Sequence, residues 1–163
     1  MKNLNLDGKT YRKVLNLDLN ETDVKILKNL LEDARLSSRQ IAKNVGISVG
    51  TVLSRIKKME DEGLIKGYSV TLDHEKLGYQ LTVVTEITVS KGRLLEMELE
   101  IAKIPSVCGV YDVTGSTDAV IIAKFKNRAD LGVFTKRLLA LPYIERTNTH
   151  VVLTTIKETF RLL

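Results

Sequence analysis

The chain has 163 residues, 44% of them hydrophobic and 28% charged, a length for one medium domain or two small ones and a composition that excludes a disordered or collagen-like polymer. Its single cysteine, Cys108, excludes an intramolecular disulfide and a cysteine-cluster metal site. A formal net charge of +5 points toward an acidic partner, and the excess sits early: residues 1–72 carry 13 Lys/Arg against 9 Asp/Glu, residues 73–163 carry 12 against 11.

Residues 1–18 form a leader without a clear period, read as an N-terminal extension. It has no apolar core or cleavage site of a signal peptide, and no later stretch nears the roughly 20 apolar residues of a membrane span, so a cytoplasmic protein without membrane contact is expected. Asn20 with Asp23 makes a capping-box pair, and Val24, Leu27, Leu30, Leu31 and Ala34 follow at helical spacing. Ser37 with Gln40 makes a second capping box. The short helix it opens buries Ile41, Ala42 and Val45 and stops at Gly46, a residue that takes positive φ cheaply. Ser48 caps a third helix running to about Glu62, with Val49, Val52, Leu53, Ile56 and Met59 as its apolar stripe. Two helices joined through Val45-Gly46-Ile47 have the spacing of a helix-turn-helix, the alternative being an ordinary αα-corner.

After Gly63 the period changes from 3.6 to 2. Ile65 to Leu72 reads as a strand or β-ribbon, and Leu77-Gly78-Tyr79 as a turn. Strand 82–90, helix 93–104, strand 107–114, strand 118–125, helix 128–141 and strand 144–156 follow, with Pro105 and Pro142 blocking helix continuation. The order βαββαβ is the ferredoxin-like unit. Strand 119–123 is apolar at every position and needs cover on both faces, so a homodimer is expected. The fold class is thus α+β: an N-terminal, winged-helix-like helix-turn-helix followed by a ferredoxin-like βαββαβ domain. The expected divisions are 1–18 extension, 19–64 helix-turn-helix domain, 65–80 β-ribbon linker and 81–163 βαββαβ domain.

On the third helix, Gly50, Thr51, Ser54 and Lys58 lie opposite the apolar stripe at 100° per residue, with Arg55 and Lys57 flanking them. Small residues there permit close approach to a major groove, and Ser48 starts the same surface. Arg55 has two readings: a bidentate grip on guanine, or a salt bridge to a nearby acid such as Glu60 or Asp61. Lys57 and Lys58 read as phosphate contacts or solvated surface, and Ser38 and Arg39 as candidates for a phosphate at the start of the second helix.

In order and spacing the chain resembles the Lrp/AsnC, or feast/famine, family of transcription regulators. The resemblance rests on Leu19-Asn20-x-x-Asp23-x-x-Ile26-Leu27, Ala34-Arg35-x-Ser37 and Ile47-Ser48-x-x-Thr51-Val52-x-x-Arg55-Ile56. It continues in Glu60-x-x-Gly63-x-Ile65-x-Gly67-Tyr68, Ile104-Pro105-x-Val107 and Val113-Thr114-Gly115-x-x-Asp118. Asn20 stands where the family usually has Asp, and the leader is longer than usual. The resemblance implies double-stranded DNA as partner, a small-molecule effector of the amino-acid class and a homodimer assembling into tetramers or octamers. It also implies an effector site at the turn Thr114, Gly115, Ser116, Thr117 and Asp118. There Gly115 would bare backbone N–H groups for a carboxylate and Asp118 would accept an ammonium; the alternative is a plain hairpin turn in which Asp118 satisfies local backbone. Thr149, His150 and Thr154 are candidates to complete that pocket, with His150 equally readable as an interface residue. Cys108 reads as a buried small residue. No metal-spacing motif or phosphate loop accompanies His74 or His150, so no cofactor and no enzymatic role are expected. An effectorless DNA-bending protein is the competing binding class, separable by DNA binding with and without amino acids.

Overall fold

The capping signals set the first three helices. In a computed structural model that describes residues 19–90 and 92–163, α1 spans Glu21–Glu32, α2 Ser38–Val45 and α3 Val49–Asp61. Asn20 Oδ1 accepts the Asp23 N–H while the Asp23 carboxylate accepts the Asn20 N–H, and Ser37 and Gln40 exchange the same two bonds. Each such cap contributes about 1 kcal/mol. Gly46 has φ 79°, and its N–H and that of Ile47 both donate to the Ala42 carbonyl, which closes α2 and turns the chain into α3. Alanine at 42 is buried there.

The three helices share one core of Ile26, Leu27, Ile41, Ala42, Val52 and Met59, with Ile56 and Ile65 packed against it. The expected stripe on α3 is wider than the observed one. Val49 and Leu53 are exposed, because the small three-helix core meets only the arc of Val52, Ile56 and Met59. On α1 the fully buried position is Ile26, and Ala34 lies exposed beyond the end of the helix.

The expected ribbon at 65–72 is not a strand. Backbone pairing requires a second strand, and none among the described residues lies against this stretch, which leaves Tyr68, Val70 and Leu72 exposed. The chain divides into two compact units at Val70/Thr71, with Thr159–Leu163 grouped with the first.

In the second unit the order is β1 (Leu81–Val89), α4 (Leu94–Ile101), β2 (Val107–Asp112), β3 (Ala119–Phe125), α5 (Arg128–Leu139), β4 (Ile144–Val151). The sheet is antiparallel throughout in the order β2-β3-β1-β4. Alternation divides its residues between two faces. Val83, Ile87 and Val89 of β1 and Ala119, Ile121, Ala123 and Phe125 of β3 join Met97 and Ile101 of α4 and Phe134 and Leu138 of α5 in one core. Each buried side chain of Ile, Leu, Phe or Met size stabilises the fold by about 1.5–3 kcal/mol. Among the described residues no helix covers the opposite face. Val84, Val120 and Ile122 lie half-buried on it, and the Tyr111 ring packs over Gly109, where an added Cβ would stand 2.7 Å from Cε2.

β4 ends at Val151, five residues short of the expected end, and the chain beyond crosses to the open face. Glu158 reaches Lys124 Nζ at 3.0 Å, and Thr82 Oγ1 lies 3.3 Å from the same ammonium, so this lysine on a central strand is buried with two partners. Cys108 is exposed on edge strand β2, where the register against β3 shifts, and is not the buried residue its apolar setting suggests.

Candidate nucleic-acid interface and effector turn

Ser48 opens α3 with its Oγ accepting the Thr51 N–H at 3.1 Å, and the two hydroxyls lie 2.8 Å apart. Gly50, Thr51, Ser54, Lys57 and Lys58 are all exposed along one side of the helix. Among the described residues a Cβ at Gly50 would meet only Ser48 Oγ, at 3.8 Å, so none of them demands glycine there. Its smallness matters only to something approaching from outside.

The cations divide into bound and free. Arg35 is tied to Asp33 at 3.0 Å, a contact that holds the exposed Asp33 carboxyl below its usual range. Lys58 stands 3.8 Å from Glu62. Arg39, Lys43 and Lys57 form no ion pair among the described residues. Arg39 sits one position into α2 beside the half-buried Ser38. The start of α2 and the exposed side of α3 therefore each offer cationic and hydroxyl donors.

Arg55 departs from both of its expected partners. Its Nη1 lies 3.2 Å from Oδ2 of Asp23, 32 residues earlier, and neither Glu60 nor Asp61 pairs with it. Glu60 instead accepts from the Tyr68 hydroxyl at 2.8 Å. Sequence reasoning named Asp23 only as a cap residue; its apolar surroundings in the three-helix core were the missing signal.

In the second unit, Thr114, Gly115 and Ser116 are exposed, with Gly115 at φ 130°, and Thr117 and Asp118 are half-buried. Among the described residues none of the N–H groups of residues 114–117 donates to protein, which leaves a run of donors suited to a carboxylate. Asp118 serves backbone, but across the sheet and not within its own turn. Its Oδ2 accepts the Val89 N–H at 2.7 Å, while its own N–H donates to the Ile87 carbonyl and its carbonyl accepts from Val113. The carboxylate thus ties the turn to the end of β1.

The three remaining effector candidates do not gather at this turn within one chain. Thr149 stands opposite Thr85, with their hydroxyls 3.1 Å apart. His150 points to the other face and meets Asn148 at 2.9 Å, with Glu86 Oε2 at 3.8 Å. Thr154 is exposed beyond the end of β4. Strand alternation separates Thr149 from His150, and β1 lies between β4 and the strand that leaves the turn. A concavity of about 340 Å³ lies at the opposite end of the sheet, between Ile104–Ser106, Lys124–Lys126 and α5. Among the described residues no group of three or more His, Cys, Asp or Glu side chains could hold a metal ion, and no helix is long and apolar enough to cross a membrane.

Two families match this chain. Residues 19–66 match the winged helix-turn-helix DNA-binding family, and residues 82–162 the Lrp/AsnC ligand binding domain. An uncharacterised HTH-type transcriptional regulator of Pyrococcus furiosus is 47% identical over 90% of this chain and 99% of its own length. The HTH-type transcriptional regulator FL11 of Pyrococcus horikoshii is 34% identical over 91% of this chain and 98% of its own length. Among solved structures, a transcriptional regulator of Neisseria meningitidis in complex with L-Met superposes with a TM-score of 0.82 at 28% identity, covering 89% of this chain and 96% of that one. An AsnC family transcriptional regulator from Agrobacterium tumefaciens gives 0.82 at 29% identity, over 89% and 97%. The chain belongs to the Lrp/AsnC family and is a transcriptional regulator built from a DNA-binding helix-turn-helix and a ligand-binding domain.

Proposed function

We propose that the regulator grips double-stranded DNA through α2 and α3 and changes its binding or assembly when an amino acid occupies the turn at 114–118. The supporting observation for DNA is the exposed side of α3, where Gly50, Thr51, Ser54 and Lys57 leave room and donors, flanked by Arg39. For the effector it is the run of undirected N–H groups at 114–117, which suits a carboxylate, together with the L-Met bound by the Neisseria relative. Because Asp118 Oδ2 already serves Val89, the carboxylate end of the effector is the end the turn serves best; Asp118 keeps Oδ1 for an ammonium. Thr149, His150 and Thr154 join this site only from another chain.

The working form is a homodimer joined through the sheet face opposite α4 and α5, assembling further into tetramers or octamers, in the cytoplasm and without catalysis. Half-buried Val84, Val120 and Ile122 on that face are what such a contact would cover. A ligand at a junction between copies alters DNA binding only if it favours one assembly over another.

The test is a thermal-shift screen of the twenty amino acids followed by anisotropy on genomic DNA fragments with and without any hit, since a ligand that binds the native state raises its melting temperature. DNA binding that survives Lys57→Ala with Lys58→Ala at an unchanged salt dependence would contradict the α3 assignment. Absence of any stabilising amino acid would favour the DNA-bending reading without an effector.

A further inference from the structure

The contact between α1 and α3 has more structure than helix packing needs. Asp23 is buried, its side chain 6% exposed, in the first turn of α1. Its carboxylate accepts the Asn20 N–H at 3.3 Å and lies 3.2 and 3.4 Å from Arg55 Nη1, while its own N–H donates to Asn20 Oδ1. The capping box therefore fixes the carboxylate, and the carboxylate fixes one corner of a planar guanidinium. Arg55 is 35% exposed, and its Nε and Nη2 have no protein partner among the described residues.

A buried ion pair is weak as a stabilising device, because desolvation offsets much of the attraction and an apolar pair would do as well. What it does supply is direction. A guanidinium held at Nη1 presents its other edge at a set angle, which a flexible ammonium would not. At 100° per residue Arg55 stands beside Thr51 and Lys58 on α3, between the buried stripe and the centre of the exposed side. In helix-turn-helix docking the centre of such a helix faces base edges and its flanks meet the groove walls, which are lined with phosphates.

We propose that Asp23 is a positioning residue for DNA binding: it holds Arg55 by Nη1 so that Nε and Nη2 meet a backbone phosphate of the duplex. Arg55 then adds to affinity and register and leaves base reading to the centre of the helix. The role lies within the DNA-binding assignment but on a helix that the assignment leaves out.

The experiment is anisotropy of the full-length protein on a random-sequence duplex over a salt series, below the melting temperature of each variant. The slope of log K against log salt counts the phosphates neutralised. Asp23→Asn removes one negative charge, which by itself tightens binding. Positioning requires the reverse, a loss of roughly tenfold with a slope shallower by about one. Arg55→Gln should give the same loss, and the double variant no further loss, because the two residues act as one. Arg55→Lys guards against misfolding: it keeps Asp23 paired and the net charge unchanged, yet a single nitrogen held at Asp23 lacks the width of a guanidinium and presents no second edge at a set angle to the phosphate, so its slope should also fall. Tighter binding by Asp23→Asn, or an unchanged slope in Arg55→Lys, overturns the proposal.

Discussion

Replacing Asp118 with alanine should cost stability before it costs anything else. The pairing of β1 with β3 ends at Ile87 and Ala119, and on that same side the next N–H, of Val89, is taken by Asp118 Oδ2 at 2.7 Å. Val89 is 8% exposed, so water is a poor substitute. A hydrogen bond to a charged acceptor contributes about 1.5–3 kcal/mol, and its loss leaves a largely buried donor unpaired. The backbone bonds of Asp118 to Ile87 and Val113 survive the substitution, so the expected loss is about 2 kcal/mol and not collapse of the turn. For a unit the size of Thr71–Glu158 that corresponds to a melting temperature roughly 8–16 °C lower. Asp118→Asn keeps a neutral acceptor and should lose about half as much. Circular-dichroism melts at one fixed protomer concentration read both values, because an oligomer's stability depends on concentration. If alanine melts with the wild type, the carboxylate does not serve Val89 in solution. The same pair of variants separates scaffold from effector contact: asparagine that restores stability but not the ligand response would place the negative charge itself in the effector site.

Three further outcomes follow from the geometry. Val120→Asp and Ile121→Asp, one residue apart, should fail differently: the first leaves a folded protomer that light scattering finds monomeric, the second destroys the core beneath α4 and α5 and the melt with it. Tyr143 donates its hydroxyl to Glu100, which with burial raises its pKa to about 12 from 10; the folded state therefore holds that proton longer than the unfolded one. The stability this contributes is complete below pH 10 and lost as pH rises from 10 to about 12, so denaturant midpoints should fall across that window in the wild type and less in Tyr143→Phe. Gly46→Ala meets no atom within 4 Å but must adopt φ 79°, so it should destabilise the three-helix unit by about 1–2 kcal/mol in urea and weaken DNA binding by tilting α3.

The local signals were readable because they act over three or four residues. Asn20 with Asp23, Ser37 with Gln40, Ser48 with Thr51 and Gly46 after Val45 each close a bond within one turn, and the change of period after Gly63 marks where helix gives way to sheet. Strand order followed from βαββαβ, and the apolar run 119–123 already implied a sheet with two faces to cover. What the residues alone left open were the partners of polar groups far apart in the chain. Arg55 had nearby acids at Glu60 and Asp61, but only the packing of α1 on α3 brings Asp23 within reach of its guanidinium. Asp118 could have faced an ammonium or its neighbours, and only the pairing of β1 with β3, which ends at Ile87 and Ala119, brings its carboxylate to the N–H of Val89. Helical spacing offered Leu53 to the core, and the family resemblance offered Thr149 and His150 to one pocket. The narrow arc of a three-helix contact leaves Leu53 out, because burial is set by what packs against an element and not by its own period, and the opposite faces of β4 keep Thr149 and His150 from meeting within one chain.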